Sequence, residues 1–277
     1  MTLHDIPEAF TDDDLVVFER DGTPPLPSGA RIGHIAHDGA MIRFASIGDG
    51  PAVILLHGGL GHGGNWHHQV PTLVAAGYCA VLIDSRGHGH STRDSRPYSY
   101  ELMGQDVLAV MDALSITSAR FVGWSDGACT ALILGATQPG RVDGVLYFAC
   151  NMDPSGALPF VPTPVIDRCF SRHKQDYAAL SATPDDFDAF VEAVGLMQRT
   201  QPNYTPAQLA AITVPVSVLH SEGDEFITPE HARYLADTIP GAELRIMSGV
   251  THFAPVQRPA LFNGVMLEAL GKMPGST

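Results

Sequence analysis

The sequence predicts an α/β protein: a mainly parallel sheet with helices on both faces and a helical block set into it. Short apolar runs alternate with segments of helical periodicity from about residue 30 to residue 150, the pattern of repeated βα units. The alternation stops between residues 151 and 211, where no buried strand is legible. It then resumes with VPVSVLHSEGD (214–224) and AELRIMSGVTH (242–252).

Residues 1–30 form an acidic, proline-containing arm ending in GTPPLPSGA; its order is not legible. ARIGHIAHDGAMIRFASIG (30–48) reads as two strands joined by a turn at Asp38–Gly39. AVILLHG (52–58) is a continuous apolar run ended by glycine, as a fully buried parallel strand would be. NWHHQVPTLVAAG (65–77) predicts a helix ended by Gly77, and YCAVLIDSRG (78–87) another buried strand. In SYELMGQDVLAVMDALSI (99–116), Leu102, Val107, Val110, Met111 and Leu114 recur at helical spacing. TSARFVGW (117–124) predicts a strand, ACTALILGA (128–136) a helix and GVLYFAC (144–150) a strand. The interrupting block contains NMDPSGALPFVPTPVIDRC and then helical stretches, DDFDAFVEAVGLM and TPAQLAAI.

A chain of 277 residues with 45% hydrophobic and 17% charged content can bury a single large core or carry a core plus a small insertion. Its formal charge of −14 argues against nucleic acid or an anionic membrane as partner, since both require basic surfaces. No apolar run approaches the ~18 residues of a membrane span. The opening MTLHDIPEAFTDDDLVVFER lacks the basic start and apolar centre of a secretory signal. Cys79, Cys129, Cys150 and Cys169 make no CxxC pair and read as reduced thiols. The expectation is a cytoplasmic protein acting on a small molecule; the oligomeric state is not legible.

Ligands of such sheets bind beyond the carboxyl ends of the strands. That directs attention to HGGLGHGGNW (57–66), DSRGHGHST (84–92), GWSDGA (123–128) and the loops after the last two strands. In GWSDG, Ser125 stands between Gly123 and Gly127 where strand turns to helix. A tight turn there exposes the hydroxyl, and a side chain two residues to either side would crowd it. The helix start also offers unpaired N–H groups and a favourable dipole for negative charge.

An activated serine needs a base, and the base needs an acid to orient it. His252, in SGVTHFAP, and Asp224, in HSEGDEFITP, follow the last two strands, in the chain order Ser125, Asp224, His252. Asp153 is the reserve acid. The N–H groups of Gly59 and Asp126 are assigned to an oxyanion hole, with Leu60 the fallback for Gly59. His57 is read as a loop organiser rather than a base. Asp126, Trp66, Trp124 and Leu60 are candidate substrate contacts. His62, His67, His68, His88 and His90 lack HExxH spacing, and no metal is expected.

HGG…W, DSRGHGHS, GWSDG, GDEF and THF at these spacings resemble the α/β-hydrolase superfamily with a helical cap, from about residue 32 to 270. GWSDG with IDSRGHGHST resembles its esterase-like branch, which includes valacyclovirase-type amino-acid ester hydrolases. It is also similar to enol-lactonases and cofactor-free haloperoxidases. The resemblance implies an eight-stranded mostly parallel sheet, a Ser-His-Asp triad and no cofactor. Residues 31–150 and 212–277 would form the core, with a cap, 151–211, inserted after the sixth strand. In valacyclovirase-like members the acidic residue after the serine is expected near the substrate's α-amino group; a carboxylate favoured at a helix N-terminus explains Asp126 equally well. The turn ends Gly127–Ala128 where close relatives often have two glycines, and the N-terminal arm lies outside the resemblance.

The reading is a serine hydrolase of a small carboxylic ester or lactone. A C–C hydrolase of diketones, a cofactor-free peroxidase and a non-catalytic ligand receptor are the alternatives. Phe160, Val161, Phe170, Phe187, Phe190 and Met197 of the block offer an apolar acyl or alcohol pocket, or surface for packing helices together.

Overall fold

A computed structural model describes residues 13–273. Eight strands form one sheet: β1 (Arg31–His37), β2 (Ala40–Ile47), β3 (Ala52–Leu56), β4 (Cys79–Ile83), β5 (Ala119–Trp124), β6 (Val142–Phe148), β7 (Val216–Gly223) and β8 (Glu243–Thr251). Their spatial order is β1-β2-β4-β3-β5-β6-β7-β8. The first two pairings, β1–β2 and β2–β4, are antiparallel and all others parallel. The β1–β2 turn places Asp38 at φ 41° and Gly39 at φ 82°, the two-residue geometry that suits strand twist.

The helices among the described residues are α1 (Asp13–Asp21), α2 (Val70–Ala75), α3 (Tyr100–Ala113), α4 (Asp126–Thr137), α5 (Pro164–Leu180), α6 (Phe187–Thr200), α7 (Pro206–Ala210), α8 (Pro229–Thr238), α9 (Ala254–Gln257) and α10 (Pro259–Lys272). Alternation along each strand feeds two cores. Ile54, Leu56, Val81, Phe121, Val145 and Tyr147 pack with α3, α4 and α8. Val53, Leu55, Leu82, Val122, Leu146 and Phe148 pack with α2 and α10. None of these helices is long and apolar enough to cross a membrane.

One predicted helix is divided. Residues 65–77 carry only the end of a 3-10 turn, Gly63–Trp66, and then α2. Pro71 lies in the first turn of α2, the position where a missing N–H is harmless. Gly77, at φ 84°, follows the helix end as expected.

Between β6 and β7 there is no strand, and α5, α6 and α7 occupy the interval. The sequence reading finds α6 and α7 but not α5, whose polar run Arg172–Asp176 masks its apolar stripe. On α6, Phe190, Val194 and Met197 are buried at i, i+4 and i+7, one face of a helix.

The described part of the N-terminal arm is ordered. On α1, Leu15 and Phe18 are buried, in one cluster with Ile166 and Cys169 of α5 and with Phe253 and Val256 beyond β8. Glu19 pairs with Arg168 at 3.5 Å. This helix therefore ties the insertion to the loop that carries His252. Residues 1–12 lie outside the described residues. Phe18→Ala is expected to lower the unfolding free energy by about 3–5 kcal/mol. Val17→Ala, on the exposed side of α1, should change it by less than about 0.5 kcal/mol; urea unfolding curves measure both.

Candidate active site

β5 passes into α4 through Ser125 at φ 52°, ψ −123°, a backbone conformation that L-residues rarely adopt. Its surroundings enforce the turn. A Cβ on Gly123 would stand 2.5 Å from the Ala128 Cα, and one on Gly127 would stand 2.1 Å from the Leu56 carbonyl oxygen. Both positions admit glycine alone. The Ser125 N–H donates to the Phe148 carbonyl at 2.9 Å, which pins the corner to β6. Asp126 opens α4, so its N–H has no acceptor within the helix.

His252 follows β8. Its Nδ1 lies 3.1 and 3.2 Å from the two carboxylate oxygens of Asp224, which follows β7. Asp224 Oδ1 also accepts the N–H groups of Phe226 at 2.9 Å and Ile227 at 3.0 Å, so the acid is locked to its own turn. Burial opposes the imidazolium, but the charge and hydrogen bond of Asp224 outweigh it and hold the His252 pKa above its ordinary value. Burial likewise pushes Asp224 upward, but the charge and hydrogen bond of His252, with His220 and the Phe226 N–H, together hold it below the ordinary carboxylate value. The His252 N–H donates to Glu225 Oε2 at 2.9 Å. Burial, then the neighbouring Asp224, raises the Glu225 carboxyl to about 7.

The loop after β3 turns at Gly58–Gly61, where the Gly61 N–H donates to the Gly58 carbonyl at 3.2 Å and Leu60 sits at φ 64°. The Gly59 N–H takes no part in that turn. A Cβ on Gly59 would fall 2.6 Å from both Asp126 Oδ2 and Gln198 Nε2, so the loop rests directly on this pair. Asp126 Oδ1 accepts the Tyr100 hydroxyl at 2.8 Å, and Oδ2 accepts Gln198 Nε2 at 3.0 Å. Burial raises the Asp126 pKa despite these two donors.

His57 spends both ring nitrogens on the backbone: Nδ1 donates to the Gly58 carbonyl at 2.7 Å and Nε2 accepts the Ser85 N–H at 3.0 Å. Burial holds its pKa down at about 4, so it is a neutral brace between two loops. Asp84 accepts the N–H groups of Gly63 at 2.7 Å and His90 at 3.0 Å, closing the RGHGHST loop. His62 faces Asp176 at 3.4 Å, and His88 Nδ1 donates to the Arg86 carbonyl at 3.0 Å. The His67 and His68 rings lie against one another at a tilt, 4.5 Å between centroids. Among the described residues no group of three or more potential ligands could hold a metal ion.

Ser125, Asp126, His252, Gly59, Leu60 and Trp124 open into one cavity of about 650 Å³ beneath the insertion. Asp224 stands behind His252. The cavity is walled mainly by apolar groups, among them Phe160 and Phe170 of the insertion and Phe226. Phe160 stacks on Phe170 and Phe226, each at 6.4 Å between centroids, and Phe226 meets His252 edge-on at 4.7 Å.

Several expectations are corrected. Trp66 is not a substrate contact: it is 0% exposed and packs against Trp124 at 6.1 Å and Phe262 at 6.0 Å. The 3-10 turn directs its ring under the sheet. Phe187, Phe190 and Met197 lie outside the cavity wall because their face of α6 packs downward; Phe190 stacks on Tyr177 at 4.7 Å. Val161 is half-exposed and outside the wall. Asp153 lies 4.0 Å from His231 rather than beside His252. Tyr100, Gln198, Glu225 and the cavity-lining His173 escape the sequence reading. Only Glu225 had a local signal, its place beside Asp224 in GDEF.

The alpha/beta hydrolase fold family model matches residues 51–195, and the chain belongs to that family. It is 28% identical over 275 residues to rhodomycin D methylesterase DauP of Streptomyces sp. (strain C5), covering 80% of this chain and 92% of that protein. It is 25% identical over 233 residues to serine hydrolase BPHL of Homo sapiens, covering 79% of each. The solved structure of Est816, described as an N-acyl homoserine lactone degrading enzyme, matches with a TM-score of 0.66 at 28% identity, over 85% of this chain and 99% of that one. The protein is a hydrolase of this fold.

A base works only when unprotonated, so for hydrolysis that uses His252 as its base the raised pKa has a definite sign. The rate constant kcat/KM should fall on the acid side with an apparent pKa above the ordinary histidine value. Asp224→Asn should shift that limb to lower pH and cut kcat by roughly 10³–10⁴. A pH–rate profile of both proteins tests this.

Proposed function

We propose that the protein hydrolyses a carboxylic ester or lactone through an acyl-enzyme on Ser125. The observation that carries this reading is the meeting of the strained Ser125 corner and the Asp224-bound His252 in one apolar cavity. Ser125 Oγ attacks the carbonyl carbon while His252 Nε2, the ring nitrogen not facing Asp224, takes the hydroxyl proton. The oxyanion accepts the N–H groups of Gly59 and Asp126; one such donor contributes roughly 10²–10³ in kcat. Collapse expels the alcohol, which leaves with the proton from His252. In a lactone that alcohol stays attached to the acyl chain. Water then attacks the acyl-enzyme, with His252 again the base, and releases the acid.

The cap, residues 151–211, selects the substrate. Its Phe160 and Phe170, with Phe226, suit a bulky apolar acyl or alcohol group. Similarity to a methylesterase, a serine hydrolase and a lactone-degrading enzyme supports the same class. Both oxygens of Asp126 are already engaged, which favours a role in bracing the Gly59 loop over capture of a substrate amine. Accordingly, Asp126→Asn should slow hydrolysis of neutral and amino esters in an unchanged ratio. A selective loss on amino esters would restore the amine-binding role.

The decisive assay is turnover of p-nitrophenyl esters of increasing acyl length by the wild type and Ser125→Ala. The wild type should prefer longer or aromatic acyl groups to acetyl, and the variant should lose a factor of at least about 10⁴. Undiminished hydrolysis by Ser125→Ala would defeat the mechanism. Turnover of ring-opened diketones in place of esters would move the chemistry to C–C cleavage.

A further inference from the structure

Two cysteines stand in the cavity wall and behind it, and the proposed hydrolysis uses neither. Cys129 lies on α4, one turn beyond Ser125, and is fully buried. Cys150 ends the segment that leaves β6, and it lines the cavity. Their sulfurs are 2.8 Å apart, about 0.8 Å more than a disulfide bond length. The Cys129 thiol also donates to the Asn151 carbonyl at 3.1 Å, and Asn151 lines the cavity at the point where the insertion begins. The four cysteines are all free thiols. Cys79 is at the start of β4, and Cys169 is packed among residues of α1 and α5.

We propose that Cys129 and Cys150 form a peroxide-reactive dithiol, closed to a disulfide by hydrogen peroxide or a small organic hydroperoxide entering through the cavity. Cys150, on the cavity side, reacts first. Its sulfur attacks one peroxide oxygen, the O–O bond breaks, and the departing hydroxide or alkoxide takes the thiol proton. The Cys129 sulfur then attacks the sulfenic sulfur of Cys150: the S–S bond forms, the S–O bond breaks, and the hydroxide leaves with the Cys129 proton as water. With hydrogen peroxide, two thiols lose two electrons and two protons, and the peroxide becomes two waters. Burial holds the Cys129 thiol well above its ordinary pKa, which suits it to the second, resolving position rather than the first. The product would join the first turns of the Ser125 helix to the end of β6 and release the Asn151 carbonyl from its thiol donor.

The full-length protein treated with hydrogen peroxide, quenched and unfolded with an alkylating agent tests this without any assay of turnover. Free thiols should fall from four to two. Peptide mapping should recover one cross-linked pair holding Cys129 and Cys150, and dithiothreitol should restore all four thiols. In Cys129→Ser no disulfide should form, and Cys150 should be recovered as its sulfenic acid with a dimedone probe. Four surviving thiols, a cross-link through Cys79, or oxidation that dithiothreitol does not reverse would overturn the proposal. These outcomes stand whether or not the protein hydrolyses esters.

Discussion

The corner at Ser125 holds a non-glycine residue at positive φ, a conformation of order 1–3 kcal/mol above the ordinary basins, and the rest of the site is arranged around keeping it there. Burial of β5 on one side and α4 on the other supplies the support, because neither element can relax without opening the core. The tight turn brings the α4 backbone against the end of β3, which is why Gly127 meets the Leu56 carbonyl. The same approach sets Asp126 at the first helical position, beneath the loop that carries Gly59. The exposed serine, helix start and glycine loop are thus consequences of a single backbone constraint.

Burying ionisable groups around that corner is tolerable because they are partnered: Asp126 by side chains of α3 and α6, the others by loops at strand ends. Asp224 is held by two N–H groups of its own turn and by His252. Asp84 takes N–H donors from two different loops. His57, buried and neutral, joins the β3 and β4 loops through its two nitrogens. A donor does not always prevail: Glu225 accepts the His252 N–H, yet burial and the neighbouring Asp224 push its carboxyl up to about 7. This part of the polar network therefore lies in the loops at the strand ends.

The insertion completes the cavity with adjoining positions of one helix, Val194 and Gln198 both lining it. Phe190, Val194 and Met197 anchor α6, while Gln198 reaches Asp126 beside Ser125. A second tie runs through α1, which packs on α5 and on the residues following His252. The cavity walls and the loops at the strand ends are consequently joined through two independent contacts, one at Gln198 and one at Leu15 and Phe18. Both join segments far apart in the chain.

Features with a local cause were legible in the sequence. Strand and helix periods, the glycines flanking Ser125, and the placement of Asp224 and His252 after successive strands all follow from neighbours within a few residues. That sufficed to name the sheet, the insertion and three site candidates. The Tyr100–Asp126–Gln198 cluster and the pairing of Cys129 with Cys150 depended on segments 21 to 72 residues apart, and the exit of Trp66 from the cavity on Trp124 and the far more distant Phe262. The order of α1 likewise depended on a distant partner, the α5 surface. No local pattern encodes which of two apolar faces a ring will enter, or which amide will meet a buried carboxylate. Those choices belong to packing, where the shape left by distant segments selects among side chains that the sequence presents as equivalent.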